Sequence, residues 1–278
     1  MKPAPKIAIL VSGRQVASRE RMFFEIAEQL MARGARVEFL AAGPEPELSG
    51  AMPAGVPLRN VSLFPRRVAG IKIAHGIRIA TAIAPLAHYL RSQRVDTLFT
   101  TSIPPNLAGL LAARCSSWPG RIVLRQSNAV YSGAAPEFAQ VDRHLRDRLI
   151  PRLYRDADAI IANSGGVAQN LIALGLDAGR ITSIPNGVDY GWIADQGAAP
   201  PTWVRPGASR RPTLITIGRL VPQKDQACLL RGFAMLAARV DAELVIVGTG
   251  PELPVLRQLA GLYAIEDRVH FAGYQSNP

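Results

Sequence analysis

The chain has 278 residues, 48% of them hydrophobic, with a net charge of +11 and a pI near 10.4. That composition supports a packed core and excludes collagen, coiled coil and disorder as overall classes. At roughly 100–200 residues per domain, the length predicts two domains or one large one. The charge is uneven: residues 1–190 hold 23 Lys+Arg against 14 Asp+Glu, a surplus of 9, whereas residues 191–278 hold 9 against 7, a surplus of 2. A basic first domain suggests an acidic partner, such as a phosphorylated ligand or an anionic membrane surface.

In chain order, Ile7–Val11 reads as a buried strand ending at Ser12-Gly13. A helix follows, with Phe23, Ile26, Ala27 and Leu30 at helical spacing, and Gly34 ends it before a strand at Val37–Ala41. Residues 43–57 read as a Pro/Gly-rich loop and residues 68–91 as one or two helices carrying Lys72, His75, Arg78, His88 and Arg91. Then come a strand at Asp96–Thr100, a helix at Leu107–Arg114, a strand at Ile122–Arg125 and a helix face at Val141, Leu145, Leu149 and Leu153. Ala159–Ala162 is a strand, Val167–Leu174 a helix and Ile181–Ile184 a strand. Residues 191–212 are proline-rich and aperiodic and read as a linker. A second series follows: strand Leu214–Ile217, helix Gln226–Arg239, strand Leu244–Val247, helix Leu253–Tyr263 and strand Val269–Phe271.

Strands alternating with helices predict parallel sheets with right-handed crossovers. The fold class is therefore α/β, with a Rossmann-like domain over 1–190, a linker over 191–212 and a partial second domain over 213–278 that is βαβαβ only.

Several chemistries are excluded or disfavoured. The only cysteines, Cys115 and Cys228, form no CxxC or Cys/His cluster, so neither a disulfide framework nor a zinc site is expected, and a reduced, cytoplasmic protein is. His75, His88, His144 and His270 lack metal-ligand spacing. Aromatic residues make up 6% and do not interleave with the basic ones, which argues against nucleic-acid binding. The charge-free stretches 97–113 and 159–176 contain Pro104-Pro105 or Asn163, Gly165-Gly166 and Asn170, and neither reads as a membrane span.

The segment Gly218-Arg219-Leu220-Val221-Pro222-Gln223-Lys224-Asp225 follows a strand and opens a helix, at the strand end where open α/β sheets bind ligands. Arg219 can fork two phosphate oxygens and Lys224, one of only four lysines in an Arg-rich chain, can add a point charge. Spacing alone leaves a second reading, an exposed loop with two solvated cations. Gly248-Thr249-Gly250-Pro251 follows the next strand and reads either as a phosphate cradle or as a tight strand-to-helix turn.

Taken together, these stretches resemble the retaining glycosyltransferases of the group 1 family (family 4), which have the GT-B fold. The resemblance runs through Tyr154–Ser164, Ile184–Asp189, Gly218–Asp225, Leu244–Pro251 and Arg268–Gly273, and is looser before residue 154, where Glu20-Arg21 and Arg33-Gly34 fall at family-like places. It implies that Arg219 and Lys224 grip the donor diphosphate and stabilise its leaving charge, without a metal or other cofactor. It also implies donor contacts by Gly13, Gly218, Gly250, Tyr274 and Gln275. The implied co-substrate is a nucleotide sugar, expected to be a UDP-sugar, and the acceptor a glycan, a lipid-linked or a small molecule bound mainly by the basic first domain.

The chain departs from the family pattern in three places. Ala17-Ser18 stand where two glycines are frequent. Ser127 stands where a His is frequent, and a Ser cannot do the same acid/base work. Ser127 and Asn128 read as a polar strand end, with Asn128 the candidate acceptor contact. Two family glutamates, spaced as Glu-x7-Glu, would fall beyond Pro278, so the chain is expected to be a truncated form of a longer enzyme. Two alternatives follow. One is an inactive remnant that binds sugar nucleotide or acceptor without transfer. The other is a membrane-surface protein, in which Arg66, Arg67, Lys72, His75, Arg78, Arg91 and Arg94 flank apolar helix faces and meet the inner leaflet.

Overall fold

A computed structural model of the chain describes residues 3–11, 18–41, 52–61, 67–68, 71–72, 80–128, 143–188, 190–198 and 211–275. The chain divides into two compact units, Met1–Gly187 and Val188–Pro278.

The first unit contains β1 (Lys6–Val11), α1 (Ser18–Ala32), β2 (Arg36–Ala41), β3 (Leu58–Asn60), β4 (Arg67–Val68), β5 (Ile71–Lys72), α2 (Ile83–Ser92), β6 (Thr97–Thr100), α3 (Ile103–Ser116), β7 (Arg121–Gln126), α4 (Arg143–Tyr154), β8 (Ala159–Ala162), α5 (Gly165–Ala173) and β9 (Ile181–Ser183). Seven strands form one parallel sheet in the order β3-β2-β1-β6-β7-β8-β9. Chain order reverses between β1 and β6, the switch point of a doubly wound sheet.

The sheet is buried on both faces, which is why β1 reads as an unbroken apolar run. Ala8 and Leu10 enter a core with α2, α3, α4 and α5, whereas Ile9 and Val11 enter a second core with α1. In that second core Phe23 meets Phe99, and Phe24 meets Phe39, edge to face with centroids 5.6 and 5.4 Å apart. A Cβ at position 109 would come within 2.8 Å of Thr100 Cγ2, so Gly109 lets α3 ride close on β6.

Two expectations need correction. The start of the stretch 68–91 is not helical, because β4 and β5 pair antiparallel at Arg67–Val68 and Ile71–Lys72; Ala80 and Thr81 are helical, and α2 follows from Ile83. His75 and Arg78 lie outside the described residues. The helix expected at Leu107–Arg114 starts at Ile103, because Pro104 and Pro105 occupy its first turn, where no backbone donor is needed. Leu58–Asn60 adds a short edge strand without a period-2 signal of its own.

The apolar face of α2 is spent inside the molecule, where Leu86 and Leu90 are fully buried in the core. Among the described residues, no helix is long and apolar enough to cross a membrane.

The second unit contains α6 (Tyr190–Gly197), β10 (Thr213–Ile217), α7 (Gln226–Ala237), β11 (Glu243–Val247), α8 (Leu253–Leu262) and β12 (Val269–Gly273). The stretch 191–212, read as an aperiodic linker, thus begins with a helix. The strands form a parallel sheet in the order β10-β11-β12. Leu244, Ile246 and Val269 pack on one face against Leu230 and Phe233 of α7 and Leu256 and Ala260 of α8. Among the described residues strand β10 is paired on one side only, and Ile215 and Ile217 on it are 51% and 57% exposed.

Candidate functional site

The carboxyl ends of β10, β11 and β12 bring three loops together. Gly218 N donates to Val247 O at 2.9 Å, Leu220 N to Thr249 O at 2.9 Å and Glu252 N to Leu220 O at 3.1 Å. Gly248 N donates to Gly273 O at 2.7 Å. These bonds extend the sheet past its strands, so the loop after β10 is held by the loop after β11, and that in turn by the end of β12.

Two glycines make this approach possible. Gly248 has φ +138°, and a Cβ there would overlap the carbonyl oxygen of Gly218. A Cβ on residue 250 would overlap the carbonyl oxygen of Leu220. The GxGP stretch is therefore a tight turn, and its glycines are required by the neighbouring backbone. Gly218 is different. Its φ is not in the left-handed region, and an added Cβ would meet nothing nearer than Lys224 Cε at 3.8 Å. Among the described residues neither conformation nor packing demands glycine at 218, and the stem of Lys224 runs past it.

Between β10 and α7 the chain makes a 3-10 turn, Pro222–Lys224, and Asp225 follows at φ +47°, where a non-glycine residue is strained. Asp225 is also the N-cap of α7, its side chain accepting from Cys228 N at 3.3 Å. Gln226, 5% exposed, donates from Nε2 to the carbonyl of Arg219 at 3.1 Å. The backbone around Arg219 and Lys224 is thus fixed from both ends. Both side chains are exposed, and among the described residues neither has an ion-pair partner. Tyr274 is 75% exposed, and Gln275 folds back to donate to Ala272 O at 2.8 Å.

In the first unit the carboxyl end of β7 carries two buried polar residues that face opposite ways. Arg125 lies over the Phe23 ring, with its guanidinium carbon 5.4 Å from the centroid. It donates to Ser127 Oγ at 2.6 Å, to Asn186 Oδ1 and to Met22 Sδ at 3.6 Å. On the other face Thr100 Oγ1 donates to Asn106 Oδ1 at 2.6 Å. Asn106 Nδ2 donates to Tyr154 Oη at 2.8 Å and Tyr154 Oη to Gln126 Oε1 at 2.9 Å. Gln126 Nε2 then donates to the carbonyl of Asn128 at 2.6 Å. Burial pushes the Tyr154 phenol well above its ordinary pKa, so it stays a protonated donor.

The structure brings Gly218, Arg219, Lys224, Gly250 and Gln275 together on one end of the second sheet. Asn128 lies at the end of β7 in the first unit, and Gly13 lies outside the described residues. Ser127 Oγ already accepts from a guanidinium, which further lowers its capacity to act as a base. The roles of Arg125, Gln126, Asn106 and Tyr154 were not foreseen. The available signal was the Arg125-Gln126 pair closing an otherwise apolar strand. Among the described residues, no group of three or more His, Cys, Asp or Glu is placed to hold a metal ion.

Residues 20–187 match the family described as "Glycosyl transferase 4-like domain", and residues 204–278 that described as "Glycosyl transferases group 1". The GDP-mannose-dependent alpha-(1-6)-phosphatidylinositol monomannoside mannosyltransferase of Mycobacterium tuberculosis is 39% identical over 98 residues, covering 34% of this chain and 26% of that protein. The N-acetyl-alpha-D-glucosaminyl L-malate synthase of Bacillus anthracis is 41% identical over 64 residues, 23% of this chain and 17% of that protein. The match therefore spans about a quarter of the mycobacterial relative's length. Among solved structures, Anabaena HepE in complex with UDP and glucose is similar with a TM-score of 0.69 and 18% identity, over 98% of this chain and 70% of that one. Sucrose-phosphate synthase from Thermosynechococcus elongatus gives 0.70 and 17%, over 98% and 71%. At such identities the likeness is one of fold.

Proposed function

The chain belongs to the group 1 glycosyltransferases and has their GT-B fold, and on that premise we propose that it moves a sugar from a nucleotide-diphosphate sugar to a hydroxyl acceptor with retention of anomeric configuration. The observation that carries this reading is the pair Arg219 and Lys224, two exposed cations without an ion-pair partner among the described residues, on a loop whose backbone is fixed on both sides. Cations held in place before charge develops need no reorganisation when it does, and that is where electrostatic stabilisation is largest.

The proposed step is a front-face displacement. The bond from the sugar C1 to the diphosphate oxygen breaks, and a bond from C1 to the acceptor oxygen forms on the same face. The acceptor proton passes to the departing diphosphate, whose charge Arg219 and Lys224 stabilise. The two side chains take the role a divalent metal would have. The donor is read as a UDP-sugar. HepE was solved with UDP and glucose, and the named GDP-mannose dependence of the mycobacterial relative sets the competing donor. The acceptor, a glycan, a lipid-linked or a small molecule, is assigned to the basic first unit, on the cytoplasmic side and where needed at the inner membrane face.

The test is incubation of the chain with UDP-glucose, UDP-galactose, UDP-N-acetylglucosamine and GDP-mannose, reading nucleotide diphosphate release with and without sugar acceptors. Arg219→Ala should lower turnover by about 10²-fold or more while leaving the fold intact. Unchanged turnover in that variant, or no binding of either nucleotide by the wild type, overturns the reading.

A further inference from the structure

We propose that Arg125 is a positioning residue that holds the Ser127-Asn128 turn as a hydroxyl-binding surface for the acceptor, an inference that rests on the transferase reading above. The turn sits at the carboxyl edge of β7, on the side of a doubly wound sheet where ligands bind. It is clamped from both faces. On one, the Arg125 guanidinium, 3% exposed, fixes Ser127 Oγ at 2.6 Å and ties it to Asn186 in the segment that follows β9. On the other, Gln126 fixes the Asn128 carbonyl at 2.6 Å and is itself fixed by Tyr154 and Asn106.

Burying a guanidinium is costly unless its donors are engaged, and a strand end needs no such group to terminate. An apolar residue at 125 would bind neither Ser127 nor Asn186. What the guanidinium adds is orientation: its planar fork reaches Ser127 and Asn186 at once, which a single-point donor cannot do. Two polar networks on opposite faces therefore converge on two residues, Ser127 and Asn128. Hydroxyl-rich ligands are recognised by groups held within about 0.5 Å of the productive geometry by a supporting shell. Ser127 and Asn128 have that support, and both remain partly accessible.

The experiment measures two affinities on the full chain. Acceptor-side binding is read by saturation-transfer NMR with methyl α-D-mannoside and myo-inositol as probes. Donor-side binding is read by calorimetry with UDP and GDP. Arg125→Met should weaken binding of the better acceptor probe at least tenfold and leave nucleotide affinity within twofold. Arg125→Lys, which restores the charge but not the fork, should recover only part of the loss. Ser127→Ala removes the hydroxyl that accepts from Arg125 and leaves that guanidinium its bonds to Asn186 and Met22. It should cost three- to tenfold in the same direction, and it keeps the inference testable if Arg125→Met does not fold.

Unchanged acceptor affinity in Arg125→Met and Ser127→Ala overturns the inference, as does an equal loss of nucleotide affinity or a wild type that binds neither probe. A wild type that binds an acceptor probe in an Arg125-dependent way but binds neither UDP nor GDP leaves this inference standing and refutes the transferase reading instead.

Discussion

The carbonyl oxygen of Gly218 occupies the space that a Cβ on residue 248 would need, so two loops from neighbouring strands touch through bare backbone. Gly248 also holds φ +138°, a conformation that side chains rarely adopt. Gly248→Ala should therefore destabilise the second unit by at least about 2 kcal/mol in urea denaturation. Gly218→Ala should change stability little, since an added Cβ meets only the Lys224 stem at 3.8 Å. Its effect should be a loss of nucleotide affinity, read by calorimetry. Equal destabilisation by both substitutions would contradict this division of roles.

Lys224 is exposed and has no ion-pair partner among the described residues. Lys224→Ala should leave the thermal midpoint where it is and weaken binding of the nucleotide diphosphate by roughly tenfold. Raising salt from low to physiological ionic strength should weaken wild-type binding, and the variant should respond less. A salt response identical in both proteins would remove Lys224 from the diphosphate grip.

Gln226 works on the backbone. Its Nε2 donates to the Arg219 carbonyl from a buried position. Gln226→Leu should cost about 1–2 kcal/mol in stability through the lost bond, and should lower nucleotide affinity although residue 226 carries no charge. Stability loss with unaltered affinity would show that Arg219 keeps its place without this bond.

In the first unit Tyr154 links Asn106 to Gln126. Tyr154→Phe strands a donor on one neighbour and an acceptor on the other, and should cost about 1–3 kcal/mol in denaturant unfolding. There is a pH consequence as well. Burial raises the folded-state pKa of this phenol above its ordinary 10, so above that pH the unfolded state gives up its proton first. Stability contributed by the neutral phenol is complete below pH 10 and falls as pH rises beyond it. Tyr154→Phe should flatten that alkaline slope. Tyr89, raised in the same direction chiefly by burial and also by Glu38, should retain part of it.

The parallel strands were legible because a sheet covered on both faces requires runs such as Ile7–Val11 and Leu244–Val247, and the second of these is bounded by the turn at Gly248-Thr249. Elements outside that rule were missed. Leu58–Asn60 is a three-residue edge strand, β4 and β5 are two residues each, and α6 lies in a segment that prolines and glycines dominate. The cations at 219 and 224 stood out because charge on a loop after a strand is visible in sequence. Arg125 did not, since its meaning depends on Asn186, 61 residues away, and on Phe23 of α1, which packs against the same face. The purpose of Gly248 could not be read either, because it lies in the backbone of a different loop.

Among the described residues strand β10 pairs with β11 alone, and the loop after it takes its shape from that neighbour and its chemistry from its own side chains. The path of residues 218–220 is held by main-chain groups of the β11 turn and by the Gln226 side chain, and by no side chain at 219 or 224. Substitutions at Arg219, Gln223 or Lys224 can therefore alter what the loop recognises while its course stays put. A change at Gly248 or Gly250 moves every group on it together. Donor preference in this chain is open to variation at the exposed side chains and closed to it at two glycines that need touch no ligand.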